Sequence, residues 1–373
     1  EKRSASFKVK VNDEEKNITI TQAGSTLTGG TAVELAAATG SEGSSTFTAT
    51  EGLPWLAALG STGDWLDWSD SNSATSGSEA PAEAQPLLVK TTAGNPSSSP
   101  RTGTITVKGG ASTTDDIYTG LKQEITVNQA GSTLSVSGAK TIAATVSSDN
   151  TSTFTATAGL SWNVGVATTD TWLSLTGTTS GTDNTTGKAQ TITYSAVVNP
   201  NATTRQGTIT VKAGNAVSGT DAGLTKTIAV TQSGSTFTVS KTELSLAGTR
   251  DTGTVEIEGT KGLPWTVSPS VETNGIKPDS TSSTIGDAVQ TLKFIASKNT
   301  GEERTATFTI AVTGGNHSKT VKVTQAAAPV VCEVTIDQVL ADAYKAAQSD
   351  LKKYPPFNYD GGTVSGTTGS DYK

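Results

Sequence analysis

The chain has 373 residues and a formal net charge of −7, with acidic and basic side chains interspersed along its length. This distribution excludes the basic stripe of a nucleic-acid-binding protein and a polybasic membrane anchor. Hydrophobic residues make up 33% of the chain, and no apolar run reaches the roughly 18–20 residues of a transmembrane helix.

The length suits two to four domains. Thr, Ser and Gly dominate the polar residues, which favours short β-strands joined by many turns. The chain contains no Met and no signal peptide, so a secreted protein would have to be present here in mature or truncated form.

The first predicted element, residues 1–24, is the C-terminal hairpin of an incomplete domain. Apolar residues alternate along it and share one inward face: Ala5, Phe7, Val9, Val11, Ile18 and Ile20. An isolated hairpin is marginally stable in water and its open edges invite pairing, so we expect something to cover this face. We favour simple truncation, in which the front half of the same domain is missing. The alternative is self-association, in which a second subunit would donate strands head to tail.

Three whole repeats follow, at 25–131, 132–234 and 235–327. Each closes with a strand that ends on a glutamine, and the strand before it begins with an arginine. The two markers recur roughly every 100 residues and also occur in the first hairpin, as Gln22, Gln129, Gln232 and Gln325 and as Arg3, Arg101, Arg205 and Arg304. A third marker occurs only in the whole repeats, as "GLPW" (52–55), "GLSW" (159–162) and "GLPW" (262–265).

Alternation within the repeats predicts the fold class. In "GTITV" (207–211), Ile209 and Val211 face one side and the threonines face the other, as in an antiparallel sheet with one buried face. Repeats of this length with short strands predict tandem immunoglobulin-like antiparallel β-sandwiches, all-β, arranged in a rod. The linkers "QAGST" and "QSGST" are too short for the domains to swing freely.

Residues 328–373 are predicted to form a C-terminal helix and a polar tail. Asp337 is a candidate N-cap, an apolar set runs from 339 to 351, and Pro355 ends the helix. The segment "CEVTI" (332–336) is a candidate partner strand for the first hairpin. Cys332 is the only cysteine, which excludes an internal disulfide framework and a cysteine-based zinc site.

The markers together resemble the BACON domain, a Bacteroidetes-associated module with a suggested carbohydrate-binding role. The second repeat carries the resemblance best, through "SWNV" (161–164), "DTWLSLTGTTSG" (170–181), "VVNPNATTRQGTITV" (197–211) and "IAVTQSGS" (228–235). The first repeat has an extra Trp in "DWLDWSD" (64–70), and the third lacks the second Trp. The resemblance implies a secreted or surface-exposed bacterial protein.

Tryptophans are the first candidates for a sugar-binding platform. Trp55, Trp162 and Trp265 occupy one repeated position, and we interpret them as core residues that bridge two sheets. Trp65 and Trp172 also correspond and are expected in the core. Trp68 has no counterpart, and we expect it to be the most exposed aromatic residue and a candidate ligand-binding residue.

The marker glutamines are expected to satisfy backbone groups at strand ends. We expect the marker arginines to lay their stems along the sandwich edge, with the head groups solvated or paired. Asp64, Asp67, Asp70 and Asn72 form an acidic cluster whose spacing by three does not fit a calcium loop, so no metal site is expected.

The loops that join the last two strands of each repeat also vary in length, and two are long, at 108–123 and 212–226. Asp115, Asp116 and Tyr118 in the first are candidate ligand-binding residues. The alternative is that these three residues, together with Asp221 of the 212–226 loop, brace neighbouring domains. We favour this second interpretation.

Catalysis finds little support in the sequence. His317 has no plausible nucleophile near it in sequence, and no metalloprotease, phosphate-loop or dinucleotide motif occurs. We therefore expect a non-enzymatic extracellular protein of a bacterial surface, without a cofactor, that acts as a spacer, stalk or filament subunit. The alternative is a surface glycan-binding protein, and a glycan therefore stays open as a partner.

Overall fold

The computed structural model describes residues 2–61, 63–71, 74–110, 120–181 and 187–328, together with 331–334, 340, 342 and 364–367. These residues group into two units. The first comprises Glu1–Ile142, Ser147–Val197 and Arg205–Gln232, and the second comprises Ala143–Val146, Val198–Thr204 and Ser233–Lys373.

The N-terminal hairpin consists of strands β1 (Arg3–Val11) and β2 (Glu14–Gln22). They pair antiparallel, from Arg3 opposite Gln22 to Val11 opposite Glu14. Asn12 takes a φ of 59° at the tight turn, a conformation that Asn tolerates better than most residues. Every residue of both strands is exposed.

The first sandwich contains nine strands, namely β3 (Leu27–Gly29), β4 (Val33–Leu35), β5 (Glu42–Ala49), β6 (Trp55–Ser61), β7 (Leu66–Trp68), β8 (Ser76–Gly77), β9 (Gln85–Thr91), β10 (Arg101–Gly109) and β11 (Leu121–Gln129). One sheet has the order β3-β5-β9-β7 and the other has the order β4-β11-β10-β6-β8. The strand β4 pairs parallel with β11, and the other pairs in these sheets are antiparallel.

The second sandwich repeats this plan with β12 (Leu134–Val136), β13 (Lys140–Ile142), β14 (Ser147–Ala156), β15 (Trp162–Val166), β16 (Leu173–Leu175), β17 (Ser180–Gly181), β18 (Gln190–Ala196), β19 (Arg205–Ala213) and β20 (Thr225–Gln232). Its sheets have the orders β12-β14-β18-β16 and β13-β20-β19-β15-β17. Two 3₁₀ turns, Gly214–Ser218 and Ala222–Leu224, lie in the loop between β19 and β20.

The third sandwich has the same order of elements, in β21 (Phe237–Val239), β22 (Glu243–Leu246), β23 (Asp251–Gly259), β24 (Pro264–Ser268), β25 (Ile276–Pro278), β26 (Ser282–Thr284), β27 (Gln290–Ala296), β28 (Arg304–Val312) and β29 (Ser318–Gln325). The sheets run β21-β23-β27-β25 and β22-β29-β28-β24-β26. In each sandwich, we call the last two long strands the closing hairpin and all preceding strands the front half.

Each sandwich encloses its own hydrophobic core between the two sheets. The inward residues of the closing hairpins alternate with polar residues that face outward, as period-2 patterning requires. The prediction of an all-β, immunoglobulin-like fold is confirmed.

The C-terminal predictions have a different outcome. Strand β30 (Val331–Val334) pairs antiparallel with β31 (Val364–Thr367), so the segment that begins at Cys332 pairs there and not with the N-terminal hairpin. Most of the helix predicted from Asp337 lies outside the described residues. Of that segment the structure describes Leu340 and Asp342, and both are helical. In the described part of the chain, there is no helix with the length and apolarity of a membrane span.

Candidate functional site

The tryptophan at the first repeated position is a core residue in all three sandwiches. Trp55, Trp162 and Trp265 expose 3%, 7% and 3% of their surface. The first two pack against a phenylalanine of the opposite sheet, with ring centroids 4.8 and 4.9 Å apart. The indole N–H of Trp265 donates to Gln290 Oε1 over 2.8 Å. These rings are therefore unavailable for stacking on a sugar, and the packing prediction is confirmed.

The tryptophan at the second position is buried beneath a marker arginine. Trp65 and Trp172 are 2% and 8% exposed, and the guanidinium carbons of Arg101 and Arg205 lie 4.7 and 4.6 Å from the ring centroids. This distance is that of a cation–π contact. Burial also lowers the pKa of both arginines from its ordinary value, although a guanidinium stays charged at any ordinary pH.

Each of these arginines also pairs with the marker glutamine that lies opposite it on the neighbouring strand. The arginine Nε donates to the glutamine Oε1 over 2.6 Å in the first sandwich, 2.7 Å in the second and 2.8 Å in the third. The arginine Nη2 donates in turn to backbone carbonyls of the front half. This pairing was not predicted from the sequence, where the arginine and the glutamine were expected to have separate roles, although their constant order was visible.

The glutamine amide serves the backbone, as predicted. Gln129, Gln232 and Gln325 are 0% exposed. The Nε2 of Gln325 donates to the carbonyls of Ala247, Thr249 and Ser297 over 2.8–3.0 Å. These bonds join the closing hairpin to loops of the front half. They also stabilise the sandwich, because a buried carbonyl without a donor is destabilising.

The third sandwich differs at the second tryptophan position. Gly275 precedes Ile276 there as Trp172 precedes Leu173 in the second sandwich, since Ile276 and Leu173 pair with equivalent alanines. Gly275 has a φ of +72°, and Arg304 lies directly against it. The residue two positions after the marker arginine changes as well, from Gly103 and Gly207 to Ala306. A β-carbon on Gly207 would lie 2.8 Å from the Trp172 ring. The sandwiches that have the tryptophan therefore have glycine at this position, and the sandwich without the tryptophan has alanine.

Trp68 was expected to be exposed because no other repeat has a tryptophan at this position, but it is partly buried. It is half-buried at the end of β7 and packs against the core of the first sandwich. It faces Val89 in the strand register, and the equivalent positions in the other sandwiches hold Leu175 and Pro278. Trp68 therefore occupies an apolar core-edge position with one side open to solvent.

Two carboxylates of the acidic cluster beside Trp68, those of Asp67 and Asp70, have partners within the protein. The Lys90 ammonium lies 2.7 Å from Asp70 Oδ1, and this hydrogen bond raises the pKa of Lys90 from its ordinary value. Asp67 Oδ1 accepts the backbone N–H of Trp68, and Asn72 lies outside the described residues. Among the residues that the structure describes, no group of three or more His, Cys, Asp or Glu side chains is placed to hold a metal ion.

The 212–226 loop contacts the first sandwich. Asp221 Oδ2 accepts the backbone N–H of Ser98 over 2.5 Å, and its Oδ1 accepts the Ser98 hydroxyl over 2.8 Å. Asn215 donates its N–H to the carbonyl of Pro96 over 2.8 Å. These contacts brace the two domains, as favoured for this loop. Asp115, Asp116 and Tyr118 of the 108–123 loop lie outside the described residues.

The bonds from the Ser98 amide and hydroxyl lower the pKa of the Asp221 carboxyl to about 2, from 3.8. The ionised form is the one that these donors stabilise. The contact is therefore complete above pH 4 and is lost as the pH falls toward 2.

A buried asparagine in each repeat was not identified from the sequence. Asn95, Asn199 and Asn299 are at most 4% exposed. Each side chain donates to two carbonyls and accepts a backbone N–H two residues later, which fixes the loop before the closing hairpin. The available signal was the recurrence of Asn five or six residues before the marker arginine.

His317 lies beside a serine hydroxyl that the sequence did not place near it. Its Nε2 lies 2.9 Å from the hydroxyl oxygen of Ser235, and the tautomer of the imidazole determines which of the two donates. The same hydroxyl oxygen lies 3.0 Å from the carbonyl oxygen of Asn201, to which it can also donate.

An open cleft of 410 Å³ lies beside β21 in the third sandwich. No described residue that lines it is aromatic, and the lining comprises Thr236, Thr238, Glu258, Gly259, Ile285, Gly286, Asp287, Ala288 and Val289. Asp287 is engaged by Lys261 over 2.7 Å. The cleft therefore offers polar groups but no stacking surface for a sugar ring.

Comparison with protein families identifies BACON, described as "Putative binding domain, N-terminal", at residues 55–130 and 266–326. Two copies of the BACON model thus match this chain, one in the first sandwich and one in the third. The second repeat looked closest by motif and lies outside both matches, although its sheets have the same strand order. BACON and immunoglobulin-like domains are non-catalytic binding or structural modules.

Comparison with curated proteins finds no match to the chain. Among solved structures, an I-band fragment of titin shares 8% identity at a TM-score of 0.34, covering 82% of this chain and 99% of that one. A Bacteroides ovatus GH5 xyloglucanase shares 21% at 0.22, covering 27% of this chain and 20% of the xyloglucanase. An endo-fucoidan hydrolase from glycoside hydrolase family 107 shares 14% at 0.26, covering 73% of this chain and 38% of the hydrolase.

Proposed function

We propose that the chain is a non-enzymatic structural protein of a bacterial surface, a spacer or stalk built of tandem BACON-type sandwiches. The observation that carries this proposal is the bonded junction between the first two sandwiches, through Asp221 and Asn215. A spacer requires junctions that resist bending, and two separate loop contacts restrict a short linker further. An extracellular location agrees with the tandem BACON domains, since such domains are typical of surface proteins of Bacteroidetes.

The junction can be tested by replacing Asp221 with asparagine. We expect a narrow distance distribution between spin labels on the first and second sandwiches at pH 7, in a chain whose Cys332 is replaced by serine. Asp221→Asn should broaden that distribution, because the neutral amide loses the charge-assisted bonds to Ser98. Acidification from pH 4 to pH 2 should broaden it in the parent chain and change little in the variant.

The control is Asp251→Asn. Asp251 also has a lowered pKa, but its cause is hydrogen bonding from the backbone of Ala247 and Thr252 within the third sandwich. Its replacement should leave the measured distances unchanged. A distribution that is already broad in the parent chain at pH 7 would contradict the spacer function.

The second candidate function is glycan binding, which the partly buried ring of Trp68 at the edge of the core and the BACON matches favour. If a glycan binds there, Trp68→Ala should abolish its signal on a glycan array, because the ring face forms the base of the site. Trp68→Leu, chosen because Leu175 holds the equivalent position, preserves the core edge and should abolish the signal equally. We expect no glycan signal from the parent chain, and a signal sensitive to both variants would place glycan binding first.

A further inference from the structure

The N-terminal hairpin presents to solvent an apolar face that every sandwich buries. Phe7 is 48% exposed and Ile20 is 60% exposed. Their counterparts in the third closing hairpin, Phe308 and Val323, are 0% exposed. The correspondence follows from the markers, because Phe7 and Phe308 stand four residues after the arginine. Ile20 and Val323 stand two residues before the glutamine.

The three sandwiches show what covers this face. The last strand of each closing hairpin pairs parallel with a short front-half strand, and the strand before it pairs antiparallel with the tryptophan-bearing strand. Four other front-half strands form the opposite sheet, and a fifth pairs with the tryptophan-bearing strand. Among the described residues, β1 and β2 form a sheet of two strands only, so both edges and one face of the hairpin lack these partners.

The hairpin also holds the polar groups with which a closing hairpin binds its front half. Arg3 lies opposite Gln22 in the same register as Arg304 opposite Gln325. In the third sandwich, the carbonyls that accept from these two side chains belong to the front half. The exposed Arg3 and Gln22 are therefore placed to bind an equivalent set of carbonyls.

We propose that the N-terminal hairpin is a docking surface for a β-rich polypeptide segment of the front-half type. The segment has the character of residues 235–303, the front half of the third sandwich. A second copy of this chain is not the occupant, because its three front halves are already covered by their own closing hairpins. The inward residues of those hairpins, such as Ile105, Ile209 and Phe308, are 0% exposed.

Ala5 determines the type of front half. It stands two residues after the marker arginine, where the first two sandwiches have glycine and the third has Ala306. A β-carbon at Gly103 would lie 3.2 Å from the Trp65 ring, and one at Gly207 would lie 2.8 Å from the Trp172 ring. The methyl group of Ala5 would therefore crowd a tryptophan at this position, and it fits a front half with a small residue there, such as Gly275, better.

Phe7 supports the same assignment. The corresponding residue is isoleucine in the first two sandwiches and phenylalanine in the third. The Phe308 ring packs 4.9 Å from the Phe294 ring of its front half. The docked segment is thus expected to offer an aromatic ring to Phe7.

The test places a second copy of a front half directly before Arg3 of the full chain. One fusion carries residues 235–303, and a matched fusion carries residues 132–204, which include Trp172. Hydrogen exchange of the β1 and β2 amides is the measurement. The first fusion should slow exchange by about 100-fold or more relative to the parent chain, because the hairpin then opens only with a packed domain.

The second fusion should leave exchange fast, and Ala5→Gly within it should restore the protection. In the first fusion, Phe7→Ser should abolish the protection, whereas Lys8→Ser, on the outward face, should retain it. Should a fusion fail to fold, the separate 235–303 fragment added to the parent chain should form a one-to-one complex by sedimentation.

Three outcomes would overturn the proposal. Fast exchange in both fusions, with no complex with the fragment, would show that the hairpin does not accept a front half. Equal protection in both fusions would show that Ala5 does not select its type. Protection in the parent chain that rises with concentration, together with a doubled mass, would make a second copy the occupant.

Discussion

Replacing Trp162 with alanine is expected to lower the free energy of unfolding of the second sandwich by about 3–5 kcal/mol. The ring is 7% exposed and packs edge-on against Phe154 at 4.9 Å between centroids. It also lies against Gly181 of β17, where a β-carbon would approach the indole to 2.7 Å. The alanine variant loses the transfer free energy of the ring and leaves a cavity between the two sheets.

Hydrogen exchange resolved by sandwich is the appropriate measurement, since a chain of several domains need not unfold in one transition. Amides of β15 and β19 should lose protection, while those of the third sandwich keep theirs. Trp162→Phe, which retains an aromatic ring, should have a smaller effect than Trp162→Ala. Unchanged protection in the alanine variant would refute the core assignment and return the ring to a binding role.

Replacing Gln325 with leucine is expected to destabilise the third sandwich by about 3 kcal/mol, at the upper end for a buried group left without its partner. The side chain is 0% exposed. Its loss removes the acceptor of the Arg304 Nε and the donor of three carbonyls. Leucine has a similar volume, so the change tests hydrogen bonding more than packing.

The chain supplies a matched control for this variant. Gln22 stands at the equivalent position of the N-terminal hairpin and is exposed. Gln22→Leu should change the free energy of unfolding of the sandwiches by no more than about 0.5 kcal/mol, as is usual for a surface substitution. If urea unfolding of the Gln325→Leu third sandwich also stayed within that range, the network would contribute nothing measurable.

The sequence predicted correctly which residues face the core wherever the pattern of a single strand determines this. Alternation in segments such as 207–211 places Ile209 inside because the period of a strand is two. The repeated tryptophans were correctly assigned to the core for a related reason, since one position shared by similar domains faces the same neighbours. The glutamine amides also serve backbone groups, as predicted.

The remaining features depend on which strands become neighbours. Arg205 and Trp172 are far apart in sequence, and their stacking arises only when β16 and β19 come together in the folded sandwich. The position of Trp68 could not be assigned from sequence, because it rests on the register of β7 against β9. Asn199 was missed since its bonds lie within a loop, where no periodicity marks a buried residue.

The parallel pairing within each sandwich has a consequence for the order of events during folding. Val33 pairs with Val127, Lys140 with Val230 and Glu243 with Lys322, so each early strand waits for one about 80–95 residues later, a contact of high sequence separation. Until that strand is synthesised, the first half of every repeat is open while a similar neighbour matures beside it. Tandem domains misassemble in such intervals. The first and second repeats combine tryptophan with glycine, and the third combines glycine with alanine. This difference in size disfavours such misassembly, because Ala306 in the closing hairpin of the third repeat would crowd Trp172 in the front half of the second.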